Sequence, residues 1–276
     1  MEISIIGLGL MGGSMGLALK KTTHASKIYG YDSNVSHLEE ALRLGLIDKA
    51  VTLEEALQKD VVILATPVDV CIQILGDFTA KNESQTIIDL GSTKEKISSS
   101  INPKIRYNFV AAHPMTGTEY SGPSAAKEEL YAGCTVVLCD LEKSGSHQVK
   151  IAKTIFVALG TKIIEMDSKT HDLHAAYISH LPHIISFSLA NAVLSKENPH
   201  DILSMAAGGF RDMSRLAKSR PDLWTQIFRQ NRANLLESID IFEKNLQELK
   251  KAVADENWEE LKDKLQKANQ LHLIFR

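Results

Sequence analysis

The chain of 276 residues is poor in the features that mark disulfide-stabilised, nucleic-acid-binding and membrane-spanning proteins. Its three cysteines, Cys71, Cys134 and Cys139, form no C-x-x-C pair and no metal-binding spacing, which favours a reducing, cytoplasmic compartment. The formal net charge is only −3, so electrostatics give no reason to expect nucleic acid or an anionic membrane as a partner. No internal repeat or low-complexity linker is present. The composition is that of an ordinary soluble globular protein.

Long apolar runs are also scarce, and only residues 3–19 could be mistaken for a signal peptide. Glu2 precedes this run in place of a basic region, and its lysines, Lys20 and Lys21, come after it. Because the run also contains regularly spaced glycines, it fits a strand, a turn and a helix better than one continuous helix. We therefore predict no targeting or membrane segment.

The glycines of this run have the spacing G-x-G-x-x-G between an apolar strand and a helical pattern. Gly7 allows a tight turn, Gly9 allows a pyrophosphate to approach the backbone, and Gly12 allows the helix to pack closely. The helix N-terminus then offers free N–H groups to the phosphates. In this context the motif predicts a dinucleotide site, and the alternative is a glycine-rich turn of another α/β protein.

A carboxylate follows the next predicted strand, at Asp32, where a ribose 2′-hydroxyl is expected to bind. Residues 33–35 contain no arginine to accept a 2′-phosphate, so NAD is favoured over NADP. The predicted cofactor-binding residues are Gly7, Leu8, Gly9, Leu10, Met11, Gly12, Asp32, Thr66 and Pro67.

The first part of the chain alternates between apolar strands and helical patterns. Strands are predicted at 2–6, 27–31, 61–65, 85–90, 108–112, 135–139 and 162–165, with helices at 35–44, 53–57 and 147–159. Continuous apolar strands such as Val61–Ala65 are typical of a parallel sheet that is covered on both faces. The alternation predicts an α/β, Rossmann-type doubly wound sheet that is mostly parallel.

From Asp167 onward the pattern is helical, with breaks at Gly208–Gly209 and at Pro221. The stretch Leu235–Leu271 is strongly amphipathic, with apolar residues every three or four positions. We therefore predict a nucleotide-binding domain at 1–166 and a helical domain at 167–276. The apolar face indicates either a homodimer or packing within the same chain.

Two side chains follow predicted strands at the edge where ligands bind in such sheets, namely Ser92 and His113. A histidine there has the pKa range to accept a proton from a hydroxyl as a hydride leaves its carbon. Ser92 would bond the same hydroxyl or orient the imidazole. The alternative for His113 is a histidine that only caps a strand end.

Four histidines lie within residues 171–183. His180 and His183 share a helical face, but no carboxylate has the H-E-x-x-H spacing, so we predict no metal. Pro182 is expected to kink the helix. Ser179 and His183 are predicted to contact substrate, and His180 to be structural.

Arginines follow the Gly208–Gly209 break, at Arg211 and Arg215. A guanidinium there is suited to bind a carboxylate through two hydrogen bonds. The alternative is a solvated helix face on which Asp212 pairs with its neighbours. Trp224 is interpreted as core packing.

These blocks resemble, in order along nearly the whole chain, the prephenate dehydrogenase family. The matching segments are residues 7–14, 89–94, 113–122, 171–172, 179–183 and 209–215. The resemblance implies NAD-dependent conversion of prephenate to 4-hydroxyphenylpyruvate and carbon dioxide on the route to tyrosine. It also implies an α-helical dimerisation domain, and so a homodimer through the C-terminal helices.

The resemblance also implies a role for each matched residue. His113 would accept the hydrogen bond of the ring 4-hydroxyl, and Ser92 would help to orient it. Arg215 would bind the ring carboxylate, while His183 and Ser179 would contact the pyruvyl end. A polar network at the mouth of the pocket would consist of Thr118, Glu119 and Asp212.

Three alternatives remain open at this point. The same fold and base would serve L-arogenate, which carries an amino group in place of the keto group. A related β-hydroxyacid or imino-acid oxidoreductase would lack the block around His113. A dinucleotide sensor would keep the glycines and Asp32 without needing Ser92, His113 and Arg215 together.

Overall fold

Within residues 1–274, which the computed structural model describes, eight strands form one sheet. The strands are β1 (Glu2–Ile6), β2 (Lys27–Tyr31), β3 (Lys49–Ala50), β4 (Val61–Leu64), β5 (Thr86–Asp89), β6 (Phe109–Pro114), β7 (Thr135–Cys139) and β8 (Lys162–Met166). Their order is β3-β2-β1-β4-β5-β6-β7-β8, and every neighbouring pair is parallel except β6 and β7. This order reverses direction at β1 and β4, so the prediction of a doubly wound, mostly parallel sheet is confirmed.

Side chains from alternate positions of each strand enter the hydrophobic cores on the two faces of this sheet. Ile3 and Ile63 belong to the core on one face, whereas Ile6, Val62 and Leu64 belong to the core on the other. Both faces are therefore covered, which explains why the central strands are continuous apolar runs.

The helices of the first part cross between the strands or cover the sheet. They are α1 (Leu10–Lys20), α2 (Val35–Arg43), α3 (Leu53–Leu57), α4 (Val68–Asp77), α5 (Glu95–Ser99) and α6 (Ser146–Ala158), with 3₁₀ turns at Pro103–Asn108, Pro123–Ala125, Glu128–Tyr131 and Leu141–Lys143. The strand β3 was not predicted, because two residues are too short to produce a pattern. Strand β6 extends to Pro114. His113 is therefore the next-to-last residue of this strand, whereas it was predicted to follow the strand.

The second part is helical, as predicted. Its helices are α7 (Ser168–Ala175), α8 (Leu181–Leu194), α9 (Pro199–Ser204), α10 (Gly208–Ser214), α11 (Pro221–Gln230), α12 (Arg232–Ala254), α13 (Trp258–Asn269) and α14 (Leu271–Ile274), with a 3₁₀ turn at Arg215–Lys218. The amphipathic stretch is divided between α12 and α13, where Glu256 has a positive φ of 51°. Among the described residues, no helix is both long and apolar enough to cross a membrane.

By its internal contacts the chain forms two compact units, Met1–Asn231 and Arg232–Arg276. Helices α7 to α11 thus belong to the same unit as the sheet. The predicted domain boundary near residue 166 stays a prediction.

A π-helical turn, Ala176–His180, joins α7 to α8. Pro182 lies in the first turn of α8, directly after this wider turn, where its missing N–H removes no α-helical hydrogen bond. The irregularity expected at Pro182 therefore takes the form of a π-helical turn that contains Ser179.

Candidate functional site

One cleft of about 1260 Å³ in the first unit brings together most of the predicted site residues. Those that line it are Gly7, Gly9, Leu10, Met11, Asp32, Thr66, Pro67, Ser92, His113, Thr118, Glu119, Ser179, His183 and Arg215. The cleft runs from the glycine-rich turn after β1, past the ends of β4, β5 and β6, to the start of α8 and to α11. This is the edge of the sheet where ligands of doubly wound folds bind.

Three predicted residues do not line the cleft. The Leu8 side chain is buried in the core, and its backbone N–H donates to Asp32 Oδ2 at 2.8 Å. Gly12 is buried in the first turn of α1. Asp212 is exposed on α10.

The glycine-rich turn has the geometry that its spacing predicts. Gly7 has a φ of +92°, and a Cβ built there would lie 2.6 Å from the carbonyl oxygen of Ala65. A Cβ on Gly12 would lie 1.8 Å from the carbonyl oxygen of Gly7, so neither position accepts a larger residue. At Gly9, in contrast, a Cβ would meet no heavy atom of the described residues within 4 Å. Gly9 thus borders open space at the N-terminus of α1, as a bound pyrophosphate requires.

Polar groups line the same end of the cleft. Asp32 accepts hydrogen bonds from the backbone N–H groups of Leu8 and Asn34, at 2.8 and 2.9 Å, which fix its carboxylate at the end of β2. Thr66 Oγ1 is buried and has no hydrogen-bond partner within residues 1–274. An orphaned hydroxyl, a fixed carboxylate and an open glycine are together a suitable donor and acceptor set for a dinucleotide.

The ring of His113 is held from inside the protein by a second histidine. Its Nδ1 lies 2.8 Å from Nε2 of His171, and both residues are buried. The two rings meet edge to face, with their planes 65° apart. Since His113 also lines the cleft, Nδ1 is occupied on the protein side, and Nε2 has no partner within residues 1–274. The residue bonded to the His113 imidazole is thus His171, whereas Ser92 had been considered for this contact. Ser92 is half-buried on the cleft wall.

His171 is in turn bonded to a carboxylate. Its Nδ1 lies 2.8 Å from Oδ1 of Asp172, the next residue of α7. Asp172 also accepts from the backbone N–H groups of Lys94 and Glu95, at 2.7 and 3.0 Å, which belong to the start of α5. Three hydrogen-bond donors thus converge on the Asp172 carboxylate at the start of α5. Helix α7 is thereby fixed against the segment that follows β5.

A fully buried ion pair lies beside this chain of histidines. The Lys94 ammonium bonds the Asp89 carboxylate and also donates to the carbonyl oxygen of Ala112 at 2.8 Å. Burial lowers the pKa of His113 well below its ordinary value, and the nearby His171, Lys94 and His180 lower it further. His113 is consequently an unprotonated base at neutral pH.

The far wall of the cleft carries His183 and Trp224. Their rings stack with centroids 3.4 Å apart, and His183 Nδ1 donates to the backbone oxygen of Ser179 at 2.8 Å. The Ser179 side chain is half-buried on the same wall. Burial lowers the pKa of His183, and so does the neighbouring Arg215, which is exposed in the open cleft. His180 is buried behind this wall, as predicted, and lies 3.1 Å from the side-chain amide of Asn231.

Sequence reasoning did not assign a function to His171, Asp172, Lys94 or Trp224. The pair His171–Asp172 was noted only as part of a motif, because its contact with His113 spans 58 positions. Trp224 is buried, as interpreted, but also lines the cleft. Within residues 1–274, no cluster of three or more histidine, cysteine or acidic residues has a geometry that would hold a metal ion.

Comparison with known proteins gives matches along almost the entire chain. The family model for the nucleotide-binding domain of prephenate dehydrogenase matches residues 15–165, and that for its dimerization domain matches residues 167–267. A prephenate dehydrogenase of Bacillus subtilis is 34% identical over 94% of this chain and 72% of its own. The structure of prephenate dehydrogenase from A. aeolicus in complex with hydroxyphenyl propionate and NAD+ is similar with a TM-score of 0.91 and 32% identity, over 100% of this chain and 99% of that one. The structure of a Synechocystis arogenate dehydrogenase is similar with a TM-score of 0.80 and 27% identity, over the whole of both chains.

Proposed function

The chain belongs to the prephenate dehydrogenase family, and we propose that it converts prephenate and NAD+ to 4-hydroxyphenylpyruvate, carbon dioxide and NADH on the route to tyrosine. The observation that carries the proposal is the continuity of one cleft from Gly9 and Asp32 to His113 and Arg215. Such a cleft places the dinucleotide site and a base within reach of one substrate. A dinucleotide sensor would have no need for the part of the cleft that contains His113 and Arg215.

The glycine turn and Asp32 would hold the cofactor. Its pyrophosphate would lie over Gly9 at the N-terminus of α1, and Asp32 would accept hydrogen bonds from the adenosine ribose. NAD+, when bound, supplies the acceptor for the hydride that leaves C4 of the substrate ring. His113 is itself buried, which limits the access of water to the base.

His113 acts on the 4-hydroxyl of the ring. Its unprotonated Nε2 accepts the hydroxyl proton as C4 loses the hydride, and the proton returns to the same oxygen when the ring becomes a phenol. The C1 carboxylate leaves as carbon dioxide, so the ring gains its aromatic electrons and no proton is lost overall. Ser92, on the same wall, bonds the hydroxyl oxygen and fixes its distance from His113.

Arg215 binds the ring carboxylate before it leaves. A guanidinium is suited to this contact, but tight binding of the ground state alone would not raise the rate. His183 and Ser179 contact the pyruvyl side chain, and Thr118 and Glu119 form the polar mouth. A contribution of Asp212 stays a prediction.

Assembly is expected to be a homodimer through the C-terminal helices. The chain carries the family's dimerization domain, and apolar residues are left exposed on helices α8 and α9 and directly after them. They are Leu194, Ile202, Leu203 and Met205. A second copy would cover such a surface, since monomers rarely expose contiguous apolar patches. We place the domain boundary near residue 166 and the protein in the cytoplasm.

The test is the absorbance of reduced nicotinamide in cuvettes that contain the purified protein and NAD+ with either prephenate or L-arogenate. A rise with prephenate supports the proposal. A rise with arogenate alone would keep the fold, base and cofactor and replace the substrate. No rise with either compound would contradict the proposed activity.

A further inference from the structure

The hydrogen-bond chain behind His113 has a direction that its end groups determine. Asp172 already accepts two backbone N–H bonds, and an ionised carboxylate has only acceptors to offer. The proton in the bond between His171 and Asp172 therefore resides on His171 Nδ1. A neutral His171 then presents a lone pair at Nε2, which lies 2.8 Å from His113 Nδ1.

His113 must supply the proton of that second bond. Its hydrogen is then on Nδ1, and Nε2 is left with the lone pair on the side of the cleft. Because an isolated imidazole is free to carry its hydrogen on either nitrogen, this choice has to be made by the neighbours. The opposite tautomer would point an N–H into the cleft, and it would have no lone pair to accept the substrate hydroxyl.

We propose that His171 and Asp172 are positioning residues that set the tautomer of His113, so that its Nε2 is the acceptor facing the substrate. The inference rests on the proposed function for its kinetic consequences, but not for the tautomer itself. Neither residue touches the cleft.

The charges and titratable groups around His113 favour its neutral form. His113 faces His171 from α7, the Lys94 ammonium from the segment after β5 and His180 from the π-helical turn. Lys94 is neutralised in part by Asp89. Burial and these neighbours disfavour a second proton on His113, so its Nε2 keeps the lone pair.

The first experiment replaces His171 by leucine or by glutamine. His171→Leu removes the acceptor, so the His113 proton is free to move to Nε2, and kcat should fall roughly 10²-fold, within the range of a misplaced general base. His171→Gln puts an amide oxygen near the position of the lost Nε2, and it should restore kcat to within about tenfold of the unmodified protein. The KM for prephenate and the affinity for NAD+ should change less than about threefold in both, because His171 does not line the cleft.

His174 provides the matched control. It lies on the same helix, one turn further along, and is exposed. His174→Leu and His174→Gln should leave kcat unchanged, which separates the loss of a hydrogen bond from a general effect of leucine on α7.

The second experiment reads the tautomer directly and needs no substrate. In ¹⁵N-histidine NMR spectra of the full chain at neutral pH, with His113 assigned by its absence in His113→Asn, Nδ1 of His113 should have the shift of a protonated nitrogen and Nε2 that of an unprotonated one. A protonated Nε2 in the unmodified protein would overturn the inference. This measurement also remains valid if His171→Leu fails to fold.

The outcomes separate this inference from the proposed function. If neither prephenate nor arogenate is turned over but the spectrum shows Nδ1–H, the activity is wrong and the tautomer assignment stands. If prephenate is turned over and His171→Leu retains normal kcat, the activity stands and the positioning role is wrong. A loss of kcat in His171→Leu that is largely absent in His171→Gln would support both the proposed activity and the positioning role.

Discussion

The two ends of the cleft are built in opposite ways. The dinucleotide end is local, because Gly7, Gly9 and Gly12 shape it within one turn of backbone, largely by the absence of side chains. The proton-handling end is assembled from distant parts, since His113 on β6 depends on His171 on α7, 58 positions away. Substitutions at the dinucleotide end should therefore change the affinity for the cofactor. Substitutions at the proton-handling end should change the rate of the chemical step.

Replacement of the base should give the largest effect. His113→Asn removes the acceptor at the ring hydroxyl, and it should lower kcat by about two to four orders of magnitude. Calorimetric titration should find NAD+ affinity unchanged, because His113 is not part of the glycine turn that would hold the pyrophosphate. His147→Asn, at an exposed position of α6, is the control. Near-normal turnover of His113→Asn would remove this histidine from the mechanism.

The next effect concerns the substrate rather than the base. Arg215→Ala loses a charge-assisted contact to a carboxylate, so the KM for prephenate should rise by roughly 10- to 100-fold. Steady-state rates at saturating NAD+ measure it. Arg211→Ala is the matched comparison, because Arg211 is exposed and does not line the cleft. If Arg211→Ala raises KM and Arg215→Ala does not, the two assignments must be exchanged.

The histidines at the proton-handling end should also make stability depend on pH. Burial lowers the pKa of His180 to about 4, and it lowers those of His113 and His183 in the same direction. The unfolded chain binds more protons below its ordinary histidine pKa, so stability is retained above about pH 6.5 and is lost as the pH falls toward 4. His180 alone should cost about 2 kcal/mol between pH 7 and pH 5.

Urea unfolding at a series of pH values measures this loss. His180→Gln carries no titratable group, so its unfolding free energy should fall less steeply with acid than that of the unmodified protein. Equal slopes for the two proteins would show that His180 is not buried in its neutral form.

A small, selective effect is expected at the dinucleotide end. A methyl group on Gly9 would meet no atom of the described residues, so Gly9→Ala should fold normally. It should nonetheless weaken NAD+ binding by about tenfold, because the methyl occupies the approach of the pyrophosphate. Gly76→Ala on α4 adds a methyl in equally open space, at a position that does not line the cleft, and is the control. Unchanged NAD+ affinity in Gly9→Ala would place the pyrophosphate elsewhere.

The same contrast explains what the sequence could predict. The glycine turn, Asp32 and the central strands follow from patterns within a few residues, and the structure has them close to the predicted positions. The positions of Ser92 and His113 follow from a rule about strand ends. The bond from His113 to His171 does not, because it depends on how α7 docks against the sheet. The buried pair of Lys94 and Asp89 was likewise noted only as part of a motif, since no local pattern reveals a lysine without solvent exposure.

The bond between His113 and His171 has a consequence for biosynthesis. Ribosomes deliver the N-terminal part first, and the segment up to the end of β8 contains both the glycine turn and the base. The residue that orients the base belongs to the next helix, and Asn231, at the end of α11, donates to the backbone oxygen of Asp172 behind it. A nascent or truncated chain would thus contain its dinucleotide pocket before the residues that orient His113 are in place. Synthesis of α7 and of the helices that pack behind it would therefore be needed before the proposed reaction could run at its full rate.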